Sequence, residues 1–316
     1  MRVLITGITG FAGGHLAARC RAEGHEVHGL VRPGREGAAP AGTTAHPAAL
    51  TDPASVGAVL EAVRPGWVFH LAGAASVGGS FADPIGTWRD NLQGTLGVLE
   101  AVRARPEPPR VVVSLSGEAY GRVPLDALPV TGDTPMHPLS PYGASKAAAD
   151  IACEQYRAAW GVPVVRARAF NQLGPGQDDR FVLPTIARQL AEAEARGDAR
   201  ARLELGNLET RRDFTDVRDV VRAYLLLAER GDPDVPYVVA SGASRPIREL
   251  VDGLAGLARV PVDVVSEAGR RREGEQPDLF GSPSALAALG WRPEVPLAAS
   301  LGDTLEWWRA RVAAPG

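Results

Sequence analysis

Cysteine is scarce in this 316-residue chain: it has two, Cys20 and Cys153, each in a stretch of helical spacing. Two thiols so far apart build no disulfide framework and match no metal-ligand spacing, so a reduced, cytoplasmic protein with no metal centre is expected. A basic excess is missing too. Against 37 Asp and Glu stand 34 Lys and Arg, a net charge of −3, which leaves no cationic surface to track nucleic-acid phosphates or an anionic membrane. No apolar run approaches the length of a membrane span, and the chain opens "MRVLITG", a strand rather than a charged-then-apolar leader. Internal repeats and low-complexity tracts are absent. The nearest feature, the Pro/Gly/Ala-rich stretch beginning at Arg32, reads as a long surface loop.

What is present has the rhythm of an α/β protein. Short apolar runs ("RVLITG", "EVHGLV", "WVFHLAG", "RVVVSLS", "PVVRARAF") alternate with segments of helical spacing such as "GGHLAARCRAEG" and "DPASVGAVLEAVRP". Apolar runs without alternation suit strands buried on both faces, hence a parallel sheet with helices on either side. After Asn171 the texture shifts to a loop and one long helix, "GPGQDDRFVLPTIARQLAEAEARG", then a helical "RRDFTDVRDVVRAYLLLAER", a strand-like "VPYVVAS" and a charged loop, "RRREGEQPDLFG". The expected architecture is a Rossmann-type doubly wound parallel sheet over residues 1–169, with later returns near 211–240. A smaller, discontinuous C-terminal substrate lobe occupies mainly residues 170–316.

Two ends of that sheet carry chemistry. "LITGITGFAGGHLA" spaces Gly7, Gly10 and Gly13 three apart, directly after a strand and into a helix. Glycine there permits a tight turn and close approach of a pyrophosphate to the helix N-terminus. The second strand ends "HGLVRPGR", with Arg32 and Arg35 and no acid to bond an adenosine ribose. A base at that point accommodates a 2′-phosphate, so NADP(H) is favoured over NAD(H); the alternative is that Arg32 is an ordinary loop residue. At the other end, "RVVVSLS" closes on Ser116, beyond which open sheets of this kind keep their ligands. In "SPYGASK", Ser140 and Pro141 suit an N-cap and first helical position, and Tyr142 and Lys146 then share one helix face. Alone, that pair reads as a surface feature. Beside Ser116 and a nicotinamide it makes a proton-transfer device, in which the ammonium draws the phenol down from its usual pKa of about 10.

Taken together, "TGITGFAGG", "HLAG", "NLQGT", "SLSGEAYG" and "SPYGASK" resemble, in order and spacing, the extended short-chain dehydrogenase/reductase family. The resemblance implies that Tyr142 is the catalytic acid/base, that Lys146 binds the nicotinamide ribose and tunes the phenol, and that Ser116 orients the reacting oxygen. Asn91 matches a family asparagine taken as mainly structural. Cofactor contacts are implied at Gly7, Gly10, Phe11, Ala12, Gly13, Arg32, Leu50, Leu71, Ala72, Gly73, Tyr142 and Lys146. The family usually takes nucleotide sugars, which implies substrate contacts from Ser116, Glu118, Tyr142, Asn171, Arg212 in the R-D-[FY] motif, and Arg272. Arginine suits diphosphate because its fork is planar and permanently charged; Arg211 and Arg218 read instead as solvated surface charges. Three stretches, "GITGFAGGHLAA", "FNQLGPGQDDRFVLPTIARQLAEAEA" and "GNLETRRDFTDVRDVVRAY", look like the GDP-6-deoxy-4-keto-mannose reductases and the neighbouring GDP-mannose 4,6-dehydratases. The dehydratases typically read TGxTGQDG at the first turn, so "TGITGFAGG" favours the reductase branch.

The chain departs from the family pattern at three places. The adenine-contacting aspartate should fall at Ala49, and the nearest acid, Asp52, comes three positions late. Gly117 stands where Ser or Asp is frequent. Glu118 falls where dehydratases keep a base for the sugar C5 proton, and reads equally as that base or as a polar loop residue. The expectation is an NADPH-dependent 4-ketoreductase, most consistent with GDP-4-keto-6-deoxymannose as substrate and GDP-rhamnose as product. A 4,6-dehydratase or 4-epimerase with recycled cofactor is the nearest rival and a non-catalytic nucleotide sensor a remote one. A homodimer is expected, through the helices beginning near Asn91 and Tyr142.

Overall fold

The computed structural model describes residues 1–266 and 276–313. Strands β1 (Arg2–Thr6), β2 (Glu26–Val31), β3 (Thr44–Pro47), β4 (Trp67–His70), β5 (Arg110–Ser116) and β6 (Val164–Ala169) are joined much later by β11 (Tyr237–Val239) in one seven-stranded sheet. The spatial order is β11-β6-β5-β4-β1-β2-β3, and every pairing is parallel. The chain builds outward from β1 through β2 to β3, then crosses back for β4 to β6. That reversal opens a crevice beyond the carboxyl ends of β1 and β4, where ligands of such sheets bind.

Both faces of the sheet are covered, which is why its strands lack polar alternation. Val3 and Ile5 pack under α1 (Phe11–Ala22) and α8 (Val217–Arg230). Leu4 points the other way, toward α2 (Pro53–Val63), α5 (Gly94–Arg103) and α6 (Pro141–Trp160). All three side chains are fully buried. Before α5 come two short helices, α3 (Val77–Ala82) and α4 (Pro84–Trp88), and a π-helical turn, Arg89–Gln93, that holds Asn91. Such turns interrupt a helix at some cost and are frequent at functional sites.

The stretch from Arg32 contains a strand that the sequence reading assigns to loop. Residues 44–47 form β3, paired from His28↔Thr44 to Val31↔Pro47. It lies at the sheet edge, with none of its four residues buried, so no apolar run announces it. An edge strand also tolerates Pro47.

The remaining strands form three small sheets. β7 (Asn171–Leu173) pairs with β10 (Phe214–Asp216), and β8 (Ala201–Leu205) with β13 (Val262–Ser266). β9 (Arg211–Arg212) lies between β12 (Arg245–Pro246) and β14 (Asp278–Leu279). Helices α7 (Val182–Arg196), α9 (Ile247–Leu257) and α11 (Leu297–Ala313) bury Leu190, Leu254 and Leu305 in a core of their own. One further helix, α10 (Ser284–Ala288), returns Leu286 to the core beneath the main sheet.

Helix α6 begins as the sequence anticipates. Ser140 is extended and accepts the Gly143 N–H at 3.0 Å, Pro141 takes the first helical position, and Gly161 ends the helix with φ +64°. A serine cap of this kind contributes about 1 kcal/mol. Ser140→Ala is therefore expected to lower stability by roughly that amount. Chemical denaturation should show a shifted midpoint with an unchanged slope.

Candidate active site

The first turn after β1 is closed on itself and against β4. Gly7 has φ +70°, and a Cβ there would lie 2.7 Å from the Ala72 nitrogen. Side chains at Gly13 and Gly73 would overlap the Gly7 carbonyl and the Asn91 side chain, respectively. Gly10 is the N-cap of α1 and carries no capping side chain, so the N–H groups of the first turn, around Phe11 and Ala12, keep their capacity for an anion. Leu71, Ala72 and Gly73 form the facing wall after β4, and Arg32 follows β2 directly. Its guanidinium is 83% exposed and 3.5 Å from Asp90. These features fit a dinucleotide with an extra phosphate at the β2 edge. Asp52 does not replace the missing acid at Ala49: its carboxylate caps α2, accepting the Ala54 N–H at 3.0 Å.

Across the crevice, the end of β5 meets the start of α6. The Tyr142 phenol lies beside Ser116, whose hydroxyl interacts with it, and it feels the charge of Glu118. Ser116 Oγ also accepts the Glu118 N–H at 3.1 Å. Lys146, one turn along the helix, is 8% exposed and donates through Nζ to the Ser114 carbonyl at 2.9 Å. Burial pushes its pKa down to about 8. The expected tuning of the phenol is overturned here. Burial, with the Glu118 charge added, pushes Tyr142 up to about 12, although its interaction with Ser116 acts the other way. The physical reason is that desolvation of the phenolate is the largest influence, while the ammonium is bound to a backbone carbonyl.

Behind this pair runs a directed chain of hydrogen bonds. The Ala72 N–H donates to Thr6 Oγ1 at 3.2 Å, and Thr95 Oγ1 donates to the Asn91 carbonyl at 2.6 Å. His70 lies between the two hydroxyls, Nδ1 at 2.8 Å from Thr6 and Nε2 at 3.1 Å from Thr95. The neighbours therefore dictate an Nε2-protonated ring. Burial and the Lys146 charge push its pKa down to about 3, so it is neutral. Asn91 Nδ2 donates to Ser145 Oγ at 2.9 Å, joining the chain to α6. None of Thr6, His70, Thr95 or Ser114 stands out in the sequence as a site residue; the visible signal is polar residues inside otherwise apolar strands.

Gly117 has a steric explanation. A Cβ there would come within 2.8 Å of the Phe170 ring, so an aromatic floor occupies the space of the Ser or Asp common in the family. Asn171 opens β7, one residue beyond Phe170, and Arg212 lies in β9, where Nη1 donates to the carbonyls of Arg211 and Gln276. Arg272 lies outside the described residues. Arg211 is bound by Ser244 and faces Asp278, and Arg218 is held by Asp216 and Asp303, so both have structural partners.

A model of GDP-mannose 4,6 dehydratase matches residues 4–304. The chain belongs to that family. It is accordingly an extended short-chain dehydrogenase/reductase, an enzyme fold shared by nucleotide-sugar reductases, dehydratases and epimerases. GDP-6-deoxy-D-mannose reductase of Pseudomonas aeruginosa is 38% identical over 312 residues, covering 98% of both chains. GDP-mannose 4,6 dehydratase 2 of Arabidopsis thaliana is 33% identical, over 92% of this chain and 82% of that one. Among solved structures, RMD from Pseudomonas aeruginosa complexed with NADPH superposes with a TM-score of 0.85 at 38% identity, covering 98% of this chain and 99% of that one. The Thermus thermophilus UDP-glucose 4-epimerase complex with NAD gives 0.85 at 30% identity, with the same coverage.

The Lys146 shift carries a stability signature in this family member. The native pKa, about 8, lies below the 10.5 of the free side chain. Between those values the unfolded chain keeps a proton that the native chain has shed, so this group makes stability rise with pH across the window. Urea denaturation at pH 8 to 10.5 should show that rise for the native sequence and a flatter curve for Lys146→Met.

Proposed function

We propose that the chain is an NADPH-dependent 4-ketoreductase acting on a nucleotide-activated 4-keto-6-deoxyhexose, with GDP-4-keto-6-deoxymannose as substrate and GDP-rhamnose as product. The carrying observation is the Tyr142 phenol beside Ser116, with Lys146 one turn along, at the sheet's carboxyl edge and facing a glycine cradle. Full-length likeness to a GDP-6-deoxy-D-mannose reductase supports the sugar assignment. Arg32 after β2 and the NADPH complex of a 38%-identical structure support the choice of dinucleotide, with NAD(H) as the lesser cofactor.

Bound at the cradle, the dinucleotide supplies the reducing equivalents. Ser116 holds the C4 carbonyl oxygen, and Tyr142 delivers a proton to that oxygen as it gains negative charge. A phenol raised to about 12 stays protonated near neutrality, as a donor must, and a sugar alkoxide is the stronger base. Lys146 fixes the helix at Ser114 and presents its charge to the same region. Asn171, Arg212 and Arg272 are the groups we assign to the substrate diphosphate.

Glu118 near Tyr142 favours a second reading, the 4,6-dehydratase. Elimination at C5–C6 needs an acid for the departing hydroxide as well as a base. Beside Glu118 this chain has Gly117 against Phe170, which weighs toward the reductase. We infer a homodimer, supported by exposed Phe81, Ile85 and Ile151 on the adjoining α3, α4 and α6. No described helix is long and apolar enough to cross a membrane, and the two buried thiols, Cys20 and Cys153, suit a reducing cytoplasm.

Incubation with GDP-4-keto-6-deoxymannose should oxidise NADPH stoichiometrically, giving a C4 alcohol identifiable by NMR. Tyr142→Phe should lower kcat by about 100-fold or more. Turnover without added dinucleotide, or an undiminished Tyr142→Phe enzyme, would reject the assignment. Arg32→Ala should weaken NADPH binding by about tenfold while leaving NADH binding nearly unchanged, read by calorimetric titration.

A further inference from the structure

Strand β6 is fully buried yet carries arginine at two alternate positions, Arg166 and Arg168, both facing α6. Arg168 is 4% exposed, and its guanidinium joins three separate segments. Nε and Nη2 grip the Asp150 carboxylate at 2.6 and 3.1 Å, and Asp150 is itself 2% exposed. On its other side, Nη1 donates to Tyr120 Oη at 3.0 Å and to the Gly132 carbonyl at 2.6 Å. Tyr120 is wholly buried and donates its own hydroxyl to the Thr131 carbonyl at 2.7 Å.

The topology gives this knot its meaning. Asp150 lies two turns below Tyr142 and one below Lys146, on the same inward face of α6. Tyr120 and Gly132 belong to the connection that leaves β5 at Ser116, passes Glu118 and returns to α6 at Ser140. One guanidinium thus spans from the catalytic helix to the loop joining the two halves of the site. Burial disfavours its charge, but Asp150 and Tyr120 outweigh burial and hold Arg168 more firmly protonated than a free arginine. Arg166 lacks the link to the loop: its partners are Asp150, Glu154 and the Asp234 carbonyl.

We propose that Arg168 is a positioning residue, setting the distance between the Ser116–Glu118 segment and Tyr142 by clamping the 117–134 loop to α6 through Asp150. This inference rests on the ketoreductase reading only for its kinetic consequence; the clamp itself is independent of the substrate.

The test uses the full-length chain and three variants: Arg168→Lys, the double change Asp150→Leu with Arg168→Met, and Arg166→Met. Replacing both members of a buried ion pair by apolar residues is often tolerated, so the double variant should remain folded. Hydrogen exchange read by mass spectrometry should rise about tenfold or more across residues 117–134 in the double variant, with α6 still protected. Arg168→Lys keeps a charge for Asp150 but not the fork, and should loosen the loop to a lesser degree. Arg166→Met should leave loop exchange at the native level. In turnover assays the double variant should lose on the order of 100-fold in kcat, while NADPH affinity stays within about threefold because the cradle is untouched. A folded double variant whose loop exchanges as slowly as the native one overturns the proposal, as does one with native kcat. Should the native chain itself show no ketoreductase turnover, the exchange result still decides the clamp, and only the functional reading falls. If the double variant does not fold, Arg168→Lys decides: native exchange in 117–134 rejects the clamp, and selective loosening there supports it.

Discussion

An ammonium, a phenol and a carboxylate one turn apart would ordinarily mark the wet side of a helix. In this protein they mark the dry side. Helix α6 lies against β5 and β6 with Lys146 and Asp150 buried and Tyr142 half-buried, and each has a neighbour waiting: the Ser114 carbonyl, Arg168 and Ser116. Buried polar groups without such partners cost several kcal/mol each. The placement of α6 on the sheet is therefore specified by where those three partners stand, and the geometry of the site follows from it.

That constraint also shapes the chemistry. A proton donor for an alkoxide must hold its proton near neutral pH and be close to the reacting oxygen. In the reduction we propose, desolvation meets the first need by raising Tyr142 to about 12, and Ser116 beside the phenol is assigned the second. Lys146 contributes less by shifting the phenol than by fixing the helix and adding a cation to the crevice, where its charge adds to the burial that keeps His70 neutral. Glu118 adds charge of the opposite sign at the substrate edge. The Phe170 ring beneath Gly117 fills the space that a Ser or Asp side chain at that position would need.

Much of the fold was legible because its signals are local. Apolar runs at β1, β2, β5 and β6 appear where a doubly covered sheet requires them, and the Ser140–Pro141 start of α6 is written in adjacent residues. The glycine turn is local too, since its strand, spacing and helix lie within one short segment. β3 escaped notice because an edge strand buries little and needs no apolar run. Asp52–Pro53 is a helix start as local as Ser140–Pro141, whereas the role of Gly117 was out of reach because it depends on a ring 53 positions away.

By itself, then, the sequence determined the class of sheet, the cradle after β1 and the helical pairing of Tyr142 with Lys146, because each depends on neighbours a few residues apart. Only the tertiary structure decided which way the phenol's acidity moves, which carbonyl accepts the Lys146 hydrogen bond, and that Arg168 rather than solvent neutralises Asp150. Those outcomes come from desolvation and from partners on different strands, and the strength of a charge inside a protein is set by what surrounds it in space.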